Sequence, residues 1–173
     1  SPTPVEVLIG PPVESLPIEL VPVRTVIVGM TSQFVSLVFV ILLLAGSGGL
    51  TLHILWLPII VVLQLMALIG LTWILAGLTV ALPDVTYFVN LFTFLLMFIS
   101  PIAFRLEMLP PNFTWVAHLN PVFYMLQVYR DSMLNGKFPS LLEVSVYTGG
   151  SLLMFAVGAV FFRAFKGVLV DYE

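Results

Sequence analysis

The sequence predicts an all-α integral membrane protein with four transmembrane helices. A re-entrant or interfacial helical segment is expected between the last two. Three observations lead there. Apolar residues make up 60% of the 173-residue chain, charged residues only 9%, and the mean hydropathy is +1.15. Soluble domains carry about 25% charge, so bulk water is excluded as the main surroundings. The apolar residues also fall into four long runs, each at least about the 20 residues needed to cross hydrocarbon. Finally, 105–137 stands between two of these runs and is too polar to span, yet too apolar for a solvated loop.

The first 20 residues hold Pro2, Pro4, Pro11, Pro12 and Pro17 with Glu6, Glu14 and Glu19. Proline removes donors and breaks helices, so 1–20 is expected as a loop or tail outside the hydrocarbon. No basic and apolar leader opens it, and an opening on Ser1 is expected of a fragment. A transmembrane domain would follow over 21–166, with a short tail at 167–173.

The first span is expected at 21–45. Arg24 lies near its start, where a long side chain can reach the headgroups. Thr31, Ser32, Gln33 and Ser36 lie inside it, and such residues are expected to face other helices rather than lipid. Gly46-Ser47-Gly48-Gly49 makes a turn but lacks the Gly-Lys-Ser/Thr of a phosphate loop. The second span, 52–82, exceeds a straight crossing and is expected to tilt, kink or protrude. Pro58 is tolerable near its start, and Gly77/Ala81 and Thr72/Ala76 would let neighbours approach closely.

Pro83-Asp84 breaks the chain before a third span at 85–104, so spans two and three form a hairpin. Asp84 is a candidate N-cap, and Ser100-Pro101 marks the span's end. Within 105–137, Asn120 as cap and Pro121 as first residue predict a helix of about 14 residues, stopped by Asn135-Gly136. It would be roughly 21 Å long at 1.5 Å per residue, too short to cross. At 100° per residue Gln127, Arg130, Asp131 and Asn135 share a polar face, with Val122, Met125, Tyr129 and Met133 toward the other. The last span is expected at 141–162, with Gly149-Gly150 and Gly158 allowing close packing and Arg163 and Lys166 following.

Several chemistries are excluded. Without cysteine there are no disulfides or thiolate ligands, and two distant histidines, His53 and His118, build no metal site. A net charge of −3 provides no basic patch for nucleic acid. There is no nucleotide motif or catalytic triad, and the chain is read as a non-enzymatic membrane subunit without cofactor. The spans carry no ionisable residue beyond their ends, whereas ion-coupled transporters need such residues. Energy for transport would come from another subunit. The positive-inside rule leaves the chain unoriented: Arg24, Arg163 and Lys166 lie on one side, with Arg105, Arg130 and Lys137 on the other.

A run of motifs resembles the ABC-2-type permeases, closest to the branch exporting polysaccharide, O-antigen or teichoic acid. It comprises Gly70-Leu71, Pro83-Asp84-Val85, Phe98-Ile99-Ser100-Pro101-Ile102-Ala103-Phe104, Leu119-Asn120-Pro121-Val122-Phe123-Tyr124, Tyr129-Arg130-Asp131 and Gly136. Leu16-Pro17-Ile18-Glu19-Leu20 is similar to the loop before the family's third span. The family has six spans, so this chain corresponds to the last four. Its turn reads Pro83-Asp84 where family members often have Arg-Asp.

The resemblance implies the inner (plasma) membrane, with the termini and Asp84 cytoplasmic and 105–137 outside. It implies two copies around a pore, a separate ATP-binding cassette subunit that holds the ATP, and a polysaccharide or lipid-linked substrate. The substrate path or gate would include Trp115, Phe123, Tyr124, Gln127, Tyr129, Arg130 and Asp131. Pro17, Glu19 and Asp84 would contact the ATPase subunit. The plainer role of the aromatics is an interfacial belt, and of Arg130 and Asp131 an anchor for the short helix. Two other functions fit the same residues: a drug or lipid exporter permease, and a membrane anchor that transports nothing.

Overall fold

The computed structural model describes residues 20–82, 84–99, 118 and 120–170. Pro17, Glu19, Arg105, Trp115 and the expected tails lie outside the described residues. All regular structure among the described residues is helical: α1 (Leu20–Gly46), a 3₁₀ helix (Leu52–Trp56), α2 (Leu57–Ala81), α3 (Val85–Ile99), α4 (Pro121–Met133) and α5 (Leu141–Val170).

Three of these are long and apolar enough to cross a membrane: α1, the stretch Leu52–Thr79, and Leu141–Phe165 of α5. The described part of the expected third span, α3, has 15 residues, about 22 Å at 1.5 Å per residue. That is short of a hydrocarbon core of about 30 Å. Its expected continuation to residue 104 lies outside the described residues.

The expected 52–82 span is interrupted near its start. Pro58 sits in the first turn of α2, where its missing N–H costs no helical bond. Its ring would clash with the carbonyl four residues back if an α-helix ran on through that point. Leu52–Trp56 accordingly winds as 3₁₀, and the α-helix begins at Leu57. At the other end of the chain α5 runs past residue 162 to Val170. Arg163 and Lys166 limit the apolar stretch but not the helix, because both are good helix formers.

The core has two neighbouring parts. Leu57 and Ile60 of α2 pack with Val128 and Met133 of α4 and Tyr147 of α5. Val26 and Met30 of α1 meet Val61 of α2. Tyr147 donates its hydroxyl to the Ile60 carbonyl at 2.9 Å, tying α5 to α2. Further along, α2 and α5 cross at Gly70 and Gly158, where the backbones nearly touch. A Cβ on Gly70 would run into the Met154 carbonyl, and one on Gly158 into Gly70 itself. Beyond the crossing Trp73 packs against Phe155 and Phe162, and Phe161 fills the space over Gly77.

Gly77 thus serves close approach as expected, but Gly149 and Gly150 do not: no described atom lies within 4 Å of a Cβ at either. Of Thr31, Ser32, Gln33 and Ser36, only Gln33 hydrogen-bonds side chains of other helices among the described residues. Thr31 and Ser36 are exposed and hydrogen-bond the carbonyls of Ile27 and Ser32, four residues back. A hydroxyl can be satisfied within its own helix in this way, and a glutamine amide needs a partner elsewhere.

Candidate functional site

The site is built around α4, whose ends are set locally. The Asn120 side-chain oxygen accepts from the Val122 N–H at 2.9 Å, and Pro121 opens the helix. At the other end Gly136 takes φ +56°, a conformation that favours glycine. It also lies against Thr51, whose Cγ2 would be 2.8 Å from any Cβ there. Both features were visible in the sequence as Asn-Pro and Asn-Gly.

Unlike the long helices, α4 is covered on several sides. Phe123, Val128, Asp131, Ser132 and Met133 are all buried, five of its 13 residues. Among described side chains only Pro22, Val26 and Met30 are buried in the 27-residue α1. The shortest of the described α-helices is therefore the one wedged into the protein, and the longest ones show their sides to the surroundings.

One side of α4 inserts Val128 and Met133 between α2 and α5. Phe123, 1% exposed, packs edge-on against the rings of His118 and Tyr124. A second side carries Tyr129 to the amides of Gln33 on α1 and Gln64 on α2. Gln33 Nε2 donates to Gln64 Oε1 at 2.8 Å, and Gln64 Nε2 returns the bond to Gln33 Oε1 at 2.9 Å. The Tyr129 hydroxyl accepts from Gln33 Nε2 at 3.1 Å and donates to Gln64 Oε1 at 2.6 Å. As a phenol it can accept and donate at the same time. Gln33 is the central residue of α1, so Tyr129 reaches the middle of a membrane-length helix.

Beside this triad lies a cleft of about 380 Å³ between α1 and α4. Gln33, Ser36, Gln64, Tyr129 and Arg130 give it polar groups, and leucines, a valine and methionines form the rest of its wall.

The third side of α4 holds Asp131, 3% exposed. Its Oδ1 accepts from Asn135 Nδ2 at 2.6 Å and pairs with Lys137 Nζ at 3.4 Å. The Lys137 N–H also donates to the Asp131 carbonyl at 3.1 Å. The expected single polar face of Gln127, Arg130, Asp131 and Asn135 is thereby split. Gln127 and Arg130 are half-buried, Asn135 is exposed, and Asp131 turns inward. The reason is local: Asn135 and Lys137, just past the helix, fold back over the carboxylate and satisfy it. Tyr129, expected on the apolar side, is the residue that carries the polar link.

Among the sequence-derived candidates, Phe123, Tyr124, Gln127, Tyr129, Arg130 and Asp131 are thus brought together on α4. Only Tyr129 and Arg130 of these line the cleft. Asp84 is at the far end of the fold, in the turn between α2 and α3. Its side chain is exposed, and its backbone carbonyl accepts from the Tyr87 N–H at 3.1 Å. Sequence reasoning missed Gln64. The signal was present: a lone amide in an apolar run obeys the rule applied to Gln33, that such groups face protein.

Residues 21–134 match the ABC-2 type transporter family. Among similar proteins is an O-antigen export system permease protein RfbA of Klebsiella pneumoniae, 26% identical over 138 residues, which are 78% of this chain and 52% of that protein. A second protein of the same name and organism is 29% identical over 113 residues, 65% of this chain and 43% of that protein. The chain spans about half the length of these relatives. No solved structure matches it. With the family match covering well over half of its residues and three helices of membrane-crossing length, this chain is a multi-pass membrane protein of the ABC-2 type transporter family.

Proposed function

We propose that the chain is part of the permease of an ABC exporter that moves a lipid-linked polysaccharide across the bacterial inner membrane. A separate ATP-binding cassette subunit, docked at the end that carries Asp84, supplies the energy. A second copy of the chain completes the path, and α3 belongs to a further span, the expected 85–104. ATP binding on the partner shifts the permease between states by binding one of them better.

The observation that carries this reading is the seat of α4. A 13-residue helix, too short to cross, lies against α2 and α5 with Tyr129 at the middle of α1. It works as a re-entrant gate: one flank packs on protein, and the other opens on the cleft with a hydroxyl and a guanidinium. Hydroxyl, amide and guanidinium groups suit a sugar chain, which presents hydroxyls as donors and acceptors. Phe123 and Asp131, being buried, anchor the gate rather than meet the substrate. The polysaccharide itself is supported by the O-antigen permeases among the relatives.

Two measurements test this. The full-length gene product, extracted in mild detergent, is expected to bring down an ATP-binding subunit in equal amount. Its recovery alone would favour a non-transporting anchor. Arg130→Ala is expected to cut export of the surface polysaccharide at least about tenfold, the effect of losing roughly 1.4 kcal/mol, with membrane level unchanged. Normal export by that variant removes the gate role of Arg130.

A further inference from the structure

We propose that Gln33 and Gln64 are positioning residues for α4, and that with the Tyr129 hydroxyl they form a ring of hydrogen bonds fixing its height in the membrane. Each of the three side chains comes from a different helix, and each is bonded to both of the others. The two amides pair reciprocally, and the phenol both accepts from one and donates to the other.

The rest of the seat of α4 is chiefly apolar. Val128 and Met133 press on Leu57, Ile60 and Tyr147. Burial of this kind is roughly proportional to area and has no preferred direction. It holds α4 against its neighbours and tolerates sliding along them. The ring does not: a shift of α4 by one helical turn, about 5.4 Å, would break both bonds to Tyr129 at once. The phenol would then sit among the leucines and valines of α1 and α2, where an unpaired hydroxyl is costly. A single buried polar residue fixes register in coiled coils by the same logic. Asp131, Asn135 and Lys137 cannot substitute, because their bonds lie within α4 and the turn after it.

The consequence for export rests on α4 being the gate. The tie itself does not, and the test reads the tie without a substrate. The 173 residues contain no cysteine, so single-chain spin-label pairs can be placed in a clean background over these residues. Leu134, just past α4, and Leu82, just past α2, are both exposed and sit toward opposite ends of the fold. A pair at L134C and L82C reports axial movement of α4. A control pair at L141C and L82C reports the α2–α5 frame, Leu141 being exposed at the start of α5. Full-length protein carrying each pair is reconstituted in lipid and diluted with unlabelled protein, so that distances within one chain are read.

Tyr129→Phe removes one hydroxyl and leaves the amide pair and the packing in place. It is expected to broaden the Leu134–Leu82 distance distribution and to add a population displaced by about one turn, about 5.4 Å. The double variant Q33L/Q64L is expected to do the same, with Leu141–Leu82 unchanged in both. An unaltered Leu134–Leu82 distribution in either variant overturns the proposal, since apolar packing alone then sets the register. Broadening of both pairs overturns it as well, because the ring would then support the whole fold rather than α4. Loss of the tie with intact export counts against the gate and leaves the positioning role standing.

Discussion

Asn120 shows how much one side chain sets at the entrance to α4. It is buried, and its oxygen holds the Val122 N–H, one of the donors a helix start leaves without a partner. Asn120→Ala is expected to weaken α4 by about 1 kcal/mol, and Asn120→Ser, which retains a capping oxygen, to recover part of it. Amide hydrogen exchange along α4 in detergent would read the difference; equal protection in Ala and native proteins would deny the cap its role. This residue was legible because a cap and its target are two positions apart. The Asn135-Gly136 stop was legible for the same reason. Asp131 was not: its burial depends on Lys137 folding back, which a helical wheel that ends with the helix does not contain. Gln64 escaped because its partners are 31 and 65 positions away.

Among elements, the backbones of α2 and α5 nearly touch where Gly70 and Gly158 face each other. Helix α2 begins at Leu57 rather than residue 52, and α5 runs past residue 162 to Val170. The apolar runs still pointed to both helices, because a length of hydrocarbon must be matched by a length of chain. They could not announce the crossing, since a glycine in an apolar run looks alike whether it meets a backbone or open space. Gly149 and Gly150 illustrate this, as neither has a described neighbour. Gly70→Ala is expected to destabilise by about 2 kcal/mol, within the range for overpacking, because its Cβ meets backbone that cannot turn aside. Gly149→Ala is expected to be neutral or to gain up to about 1 kcal/mol from helix propensity. Thermal unfolding in one detergent compares the two directly. Equal melting temperatures would mean that α2 and α5 do not cross at Gly70.

For the whole molecule, the open matter from the sequence was direction. Three basic residues on each side of the expected membrane left the positive-inside rule without a preference. The fold organises the ends more clearly than charge does. The 3₁₀ helix, the C-terminal end of α4 and the start of α5 gather at one end: Phe138 stacks edge-on against His53 and Trp56, and Gly136 abuts Thr51. The turn at Asp84 is at the other end of α2, a 25-residue helix of about 37 Å. That exceeds the roughly 30 Å of hydrocarbon, so Asp84 and Lys137, both exposed, are expected to face opposite compartments. The proposed docking of an ATPase near Asp84 then fixes the direction, since ATP is cytoplasmic. With single cysteines at D84C and K137C, a membrane-impermeant maleimide should label K137C in cells whose inner membrane is intact. D84C should react only after that membrane is opened. Labelling of both from one side would place the two ends in one compartment and remove the crossing of α2. Reversed labelling would keep the fold and invert the exporter, leaving Asp84 on the wrong side for any ATP-driven partner.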